Sequence, residues 1–250
     1  MWGIIPAAGA GSRIQPLAFS KELLPVGSRV SDGAERPRAV SEYLVDRFVR
    51  CGVDKICFVI SPGKCDILEY YGSSALNATF VYAVQDRPAG LCDAIFRAIP
   101  LIHESEDVVV GLPDTVWFPE DGLCYLPDDS LSFLLFPVAR PDLFDAVVLY
   151  DNDRVREIQV KRPDAITPWI WGAFRARGSV FHDLHRLWLE PDRHDEFIGT
   201  LINSWIGRGG IARGVPAGTK YVDVGTLGGY REAIHALAAS ENQAREFSQL

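Results

Sequence analysis

The chain has 250 residues, with 25 Lys and Arg against 33 Asp and Glu, for a formal net charge of −8. Folding at that length buries roughly 70–75% of the unfolded surface, so the core needs neither disulfide nor metal, and a pI near 5.1 argues against nucleic acid as a partner, because neutralising phosphates takes a clustered excess of Lys and Arg. No apolar run is long enough to span a membrane, and the opening MWGIIPAAGAG lacks the basic flank of a signal peptide, so a cytoplasmic protein with no membrane partner is expected.

In chain order, an apolar strand at 2–7 leads into a Gly-rich turn, and the polar stretch Gly27 to Arg36 is expected to be a mobile loop. A helix at 38–51 is stopped by Gly52, a strand follows at 55–60, then a helix at 64–71 stopped by Gly72. Further on come a strand at 79–84, a helix at 91–102 and a strand at 107–111. Strands at 131–138, 146–150 and 155–160, joined by short polar turns, suggest antiparallel hairpins forming one wall of a site. A strand at 170–174 and helices at 179–189, 195–207 and 227–246 complete the chain. The pattern is that of an α/β, doubly wound, mostly parallel sheet with helices on both faces and a small antiparallel extension. In such a sheet a ligand lies outside the carboxyl ends of the strands. No linker divides the chain, so residues 1–250 are expected to form a single domain. The five cysteines, Cys51, Cys57, Cys65, Cys92 and Cys124, are odd in number and lack a C-x-x-C pair; reduced packing groups are expected. His182 and His185 could share a helix face as metal ligands, but no third ligand stands near, and a plain helix surface is the expectation.

The chemistry concentrates in GAGSRIQPLAFSKELLP, residues 9–25. Gly9 and Gly11 let backbone N–H groups approach an anion closely. The dinucleotide fingerprint fails because its third glycine is Ile14, and no P-loop pattern occurs. Arg13 and Lys21, set between Pro16 and Pro25 in an apolar stretch, fit a polyphosphate cradle better than a bare turn does.

This segment resembles the signature G-x-G-x-R-x-x-P followed by K-x-L-L-P of the sugar-1-phosphate nucleotidylyltransferases, most closely the glucose-1-phosphate thymidylyltransferase and UTP–glucose-1-phosphate uridylyltransferase branch. The resemblance implies a nucleotide-diphospho-sugar transferase-like fold and an Mg²⁺-dependent enzyme that joins a nucleoside triphosphate to a sugar 1-phosphate and releases pyrophosphate. Arg13 and Lys21 would then be catalytic, and Ala8, Gly9 and Gly11 nucleotide-binding. VQDRPAGLCDAI resembles the family's base-binding turn, which implies nucleotide contacts at Gln85, Pro88 and Gly90 and a preference for thymine or uracil. VVVGLPDT is similar to the metal-binding strand end and assigns Asp114, with Pro113 a departure from the usual Gly-Asp. YVDVGT assigns Asp223 as the second metal ligand; read without the resemblance, Asp223 before Gly225 could equally be a turn or cap residue. VREIQVKRPDA resembles the Glu-Lys-Pro element, in which Lys161 would hold the sugar phosphate, although Arg162 stands next to Pro163 and could be its equivalent. Val160 replaces the family's acidic residue there, which leaves open a non-sugar acceptor such as an alcohol or choline phosphate; the Pro113-Asp114-Thr115 variant and the altered lysine element leave open a catalytically weak nucleotide-sugar-binding or regulatory protein. WIWGAFRA and DEFIGTLIN place Gly172, Glu196 and Thr200 on the sugar side, with Trp169 and Trp171 either stacking on the sugar or packing in the core. The inferred partners are thus a nucleoside triphosphate and a sugar phosphate, and a homo-oligomeric state is left open.

Overall fold

The structure, a computed structural model, describes residues 1–247, with side chains up to residue 239. In chain order the elements are β1 (Trp2–Pro6), β2 (Pro25–Ser31), β3 (Ala34–Ala39), α1 (Val40–Arg50), β4 (Lys55–Ile60), α2 (Cys65–Tyr71), β5 (Ser74–Ala75), β6 (Ala78–Val84), α3 (Gly90–Phe96), β7 (Asp107–Gly111) and β8 (Thr115–Phe118). There follow β9 (Leu131–Pro137), β10 (Asp145–Leu149), β11 (Val155–Val160), β12 (Trp169–Arg177), α4 (Gly178–Trp188), α5 (Ile198–Gly207), β13 (Ala212–Val215), β14 (Lys220–Asp223) and α6 (Leu227–Phe247).

The main sheet runs β11-β10-β12-β7-β1-β4-β6-β5, with β9 and β13 attached to β12. Its centre, β7-β1-β4-β6, is parallel throughout. Alternate residues of these strands feed two cores, which explains their unbroken apolar runs. Ile4, Cys57, Val59, Val108 and Val110 face α3, α4 and α5, while Ile5, Ile56, Phe58 and Val109 face α1 and α2. A third, smaller core packs Val26, Tyr43, Val116 and Val222 beneath Ala233 and Leu237 of α6.

Several expectations are corrected. The stretch 27–36 is a β-hairpin of β2 and β3, whose turn residues Asp32 and Gly33 both have positive φ. Asp-Gly between two strands is a strong short-range hairpin signal, masked here by the charged side chains around it. The helix expected at 91–102 ends at Phe96, and a 3₁₀ turn carries Ile99–Leu101, where Pro100 cannot continue an α-helix. Strands 131–138 and 146–150 do not form a hairpin with each other. β9 pairs with β12 and β13, whereas β10 forms its hairpin with β11 across the DNDR turn. Cys51 and Cys124 are not reduced: they form a disulfide with Cα atoms 5.3 Å apart. Packing of α1 against the turn after β8 brings together residues 73 apart in sequence, which no local spacing reveals. Cys57 and Cys92 are buried thiols as expected, pushed up by burial to about 11 and about 12. His182 lies on α4 with Nε2 at 2.8 Å from the Ile102 carbonyl, and His185 packs against Phe96 and Trp188, so this pair has packing roles. Among the described residues no helix is long and apolar enough to cross a membrane.

Candidate active site

The chain leaves β1, crosses to β4 and β6 on one side, and returns to β7 on the other side of β1. Connections diverge between β1 and β7, and the carboxyl ends at such a switch point leave a crevice. The loop after β1, with Ala8, Gly9, Gly11 and Arg13, lies at this crevice, and so does Asp114 just beyond β7. Ala8 is buried, while Gly9 is exposed. The loop is fixed from beneath. Buried Lys64 bonds the Ala7 carbonyl at 2.6 Å and both carboxylate oxygens of Glu22 at 2.8 Å. Ser20 donates its N–H and hydroxyl to Asp66 at 2.6 and 2.7 Å. Lys21 opens a 3₁₀ turn on this platform, its aliphatic stem packed against Gly11, where a Cβ would lie 2.8 Å from Lys21 Cδ.

Asp114 and Asp223 are 109 residues apart by number, and a two-stranded antiparallel sheet joins them. β8 pairs with β14, with Thr115 opposite Asp223, and the Val224 N–H donates to the Asp114 carbonyl at 2.8 Å. Lys21 Nζ lies 2.5 Å from Asp114 Oδ2, and Arg13 Nη1 lies 2.9 Å from Asp223 Oδ2. Burial alone would push the Lys21 ammonium down. The carboxylates of Asp114, Glu22 and Asp223 outweigh that, so its pKa stands above the ordinary 10.5. Asp223 also accepts the Gly225 N–H at 2.8 Å, the turn role that the sequence left as an alternative. Gly225 is required by close approach. A Cβ there would stand 2.8 Å from Asp223 Oδ1, 3.1 Å from Arg13 Nη2 and 3.2 Å from Asp114 Oδ2, in the space the three groups share. Among the described residues no three His, Cys, Asp or Glu side chains cluster as a complete metal site. Two facing carboxylates suit Mg²⁺, which commonly takes one or two carboxylates and completes its shell with water and substrate phosphate.

From this rim a cleft of about 930 Å³ opens toward the antiparallel strands. Arg13, Asp114 and Asp223 line one end, and Asp145, Lys161 and Trp171 belong to the other wall. Lys161 takes a positive φ of 45°, its N–H bonds the Phe144 carbonyl at 3.0 Å, and its ammonium sits over the Phe197 ring, 4.6 Å from the centroid. Arg162 is exposed and forms a two-pronged bond with Asp164, so of the two candidate cations Lys161 is the one that lines the cleft. Val160, opposite Asp145 in the β10–β11 ladder, packs toward Gly199 of α5.

Gln85 follows β6 and is buried, anchored by its N–H to the Ile60 carbonyl. Its Nε2 donates to the Gly90 carbonyl at 3.1 Å and to Asp93 at 2.8 Å, and Asp93 is itself gripped by Arg97. These two acceptors fix the amide orientation and leave Oε1 as the group without a partner among the described residues. Gly90 has φ +86°, and a Cβ there would lie 2.6 Å from Glu196 Cα. Only glycine suits a turn pressed that closely onto the neighbouring backbone. Pro88 is exposed on the same turn, and Leu91 carries the turn to the cleft lining.

The remaining candidates lie at or beside the other wall of the cleft. Gly172 is buried at an irregularity in the β9–β12 ladder, where a Cβ would collide with Phe136 at 2.6 Å and Tyr221 at 2.8 Å. Glycine here admits the Tyr221 ring of β14. Burial and the nearby Asp223 and Asp114 raise that phenol well above its usual range, so it stays neutral. Glu196 and Thr200 line a neighbouring hollow of about 480 Å³ that shares Phe197 with the cleft. Trp171 lines the cleft while packing into the core, whereas Trp169 is only partly buried at the start of β12. Sequence reasoning did not find Asp145, whose signal was a lone acidic residue opening an apolar strand, nor the Lys64–Glu22 support, which has no local signature.

The description Nucleotidyl transferase names the family whose model matches residues 2–240. A glucose-1-phosphate thymidylyltransferase of Mycobacterium tuberculosis (strain H37Rv) is 25% identical over 97% of this chain and 84% of its own. A Bacillus subtilis protein provisionally assigned as UTP–glucose-1-phosphate uridylyltransferase is 29% identical over 63% of this chain, and that match spans 56% of the relative's length. Among solved structures, a UTP-bound UGPase from Acinetobacter baumannii superposes with a TM-score of 0.78 at 18% identity, covering 99% of this chain and 97% of the other. The fold is the one that the sequence resemblance implied, and the chain belongs to the nucleotidyl transferase family of enzymes.

Proposed function

We propose that this enzyme transfers a nucleotidyl group from UTP or dTTP to a sugar 1-phosphate, giving a nucleotide sugar and pyrophosphate. The observation that carries the reading is the convergence of Arg13, Lys21, Asp114 and Asp223 at one rim of a cleft whose far wall holds Lys161. A phosphate oxygen of the acceptor attacks the α-phosphorus in line, the bond from that phosphorus to the bridging oxygen breaks, and pyrophosphate leaves. Two anions must be held together while negative charge spreads, so positioning and charge stabilisation supply the catalysis. Arg13 neutralises the α/β-phosphates and the departing pyrophosphate, Lys21 the transferring phosphoryl group, and Lys161 the acceptor phosphate. The raised pKa of Lys21 keeps it cationic at neutral pH. The acceptor phosphate is already ionised there, so no general base is needed. Asp114 and Asp223 would hold Mg²⁺, which when bound neutralises charge on the α-phosphate and the attacking oxygen.

Gln85 supports the choice of base. With Nε2 committed to Gly90 and Asp93, Oε1 is left to accept, and uracil and thymine present an N3–H donor where cytosine presents an acceptor. UTP and dTTP should therefore outcompete CTP. The match of the family model over residues 2–240 supports one catalytic domain for residues 1–250. The test is pyrophosphate release with Mg²⁺ across a panel of nucleoside triphosphates and phosphorylated acceptors. Release with UTP or dTTP and a sugar 1-phosphate is expected. Release only with an alcohol or choline phosphate would replace the acceptor in this reading, and release with no pair would overturn it.

A further inference from the structure

Four carboxylates along the cleft are tied to cations: Asp114 to Lys21, Asp223 to Arg13, Asp142 to Arg140 and Glu232 to Lys220. Asp145 differs. Among the described residues no Lys or Arg comes within 4.0 Å of its carboxylate, and the single side-chain bond it accepts is a 3.4 Å contact from Trp171 Nε1 to Oδ2. That same oxygen would lie 3.4 Å from a Cβ on Gly199, so the first turn of α5 closes in beside it. Burial pushes the Asp145 carboxyl up, opposed by the Trp171 bond and the Lys161 charge. A half-buried carboxylate in the cleft wall has acceptor capacity left over beyond the Trp171 bond, and its place there points to a ligand that donates to it.

We propose that Asp145 is a specificity-determining residue of the acceptor end, accepting hydrogen bonds from hydroxyl groups of the acceptor sugar while Lys161 takes its phosphate. The inference rests on the acceptor being a sugar 1-phosphate, as proposed above. The backbone supports it. Asp145 opens β10 opposite Val160, and the Lys161 N–H bonds the Phe144 carbonyl, so the two head groups start from adjacent positions at one end of the β10–β11 hairpin. One small molecule with a phosphate and neighbouring hydroxyls can engage both. Trp171, holding Asp145 from the core side, would keep the carboxylate oriented.

Asp145→Asn, nearly isosteric, tests this against wild type, with sugar 1-phosphates and their singly deoxygenated analogues as acceptors. The variant is expected to raise the acceptor KM about 10- to 100-fold, the range for a hydrogen bond to a charged group. KM for the nucleoside triphosphate should stay within about twofold. At least one deoxy analogue that wild type disfavours should cease to be disfavoured by the variant, since the hydroxyl and its carboxylate are then both already missing. An unchanged acceptor KM, a parallel rise in both KM values with a lower melting temperature, or undiminished discrimination against every analogue would each overturn the proposal. Wild-type turnover with sugar phosphates is measured first. If wild type uses only a non-sugar phosphate, the reading beneath falls and the inference with it, a result distinct from failure of the Asp145 split.

Discussion

The two ends of the cleft treat charge in opposite ways. At the end beside the carboxyl ends of β1 and β7, given to the nucleotide in the proposed reading, Lys21 bonds Asp114, Arg13 bonds Asp223 of the antiparallel β14, and buried Lys64 bonds Glu22 beneath them. At the other end, on the antiparallel β10–β11 hairpin and proposed to take the acceptor, Asp145 and Lys161 lie close but form no ion pair, and Lys161 rests on the Phe197 ring. The first arrangement holds cations and carboxylates in place before any ligand arrives, which is what charge stabilisation of a reacting phosphate requires. The second leaves polar capacity for the ligand to complete, and that suits choosing among acceptors, because a site built to bond a hydroxyl rejects molecules that lack it. In the proposed reading, the general chemistry is thus set at one end and the choice of acceptor at the other.

The largest break in this contrast is expected from Glu22→Gln. It strands the buried Lys64 ammonium against the Ala7 carbonyl, and stranding a buried charge costs roughly 3–5 kcal/mol; denaturant unfolding should show that loss, and an unaltered midpoint would mean the pair does not anchor the loop. Next in size, Arg13→Ala removes one preorganised cation, with an expected loss on the order of a hundredfold or more in turnover. Because Arg13 is largely exposed, its melting temperature should barely move, and near-normal turnover would remove Arg13 from the site.

These two variants probe features of unequal legibility. Arg13 and Lys21 were readable because they interrupt a Gly- and Pro-bounded apolar segment. Strands 55–60, 107–111 and 155–160 were readable to the residue, as short apolar runs bounded by turn signals. The β2–β3 hairpin was missed because its exposed faces are charged, although Asp32-Gly33 marks its turn. The meeting of Asp114 with Asp223 depends on β8 and β14, four residues each, too short to show a period; resemblance alone paired them. The Cys51–Cys124 bond and the Lys64–Glu22 pair arise from tertiary packing, and the sequence holds no local trace of either. Asp145 reads in isolation as the polar start of a strand, and only the cleft around it gives it meaning.

A smaller effect sharpens the acceptor end. Lys161→Ala should raise the acceptor KM about tenfold, the low end of the range for a bond to a charged group. Arg162→Ala, which breaks only an exposed pair with Asp164, should change it by less than about twofold. Equal effects from the two would return the phosphate role to an open choice between them. The smallest effect concerns pH. Lys21 has its pKa raised in the folded state, so its contribution to stability is fully present below 10.5 and is lost as pH rises through the higher folded value. Melting temperatures of wild type and Lys21→Met should therefore keep a constant offset from neutral pH to about 10 and converge only above that; convergence already near pH 8 would show that the carboxylates around Lys21 do not hold its proton.

The most direct test of the central claim is stoichiometry. With Mg²⁺, UTP or dTTP and a sugar 1-phosphate, the purified protein should form nucleotide sugar and pyrophosphate in equal amounts, both abolished in Asp223→Asn. Pyrophosphate released without a matching nucleotide sugar, or neither product with any sugar 1-phosphate, would contradict it.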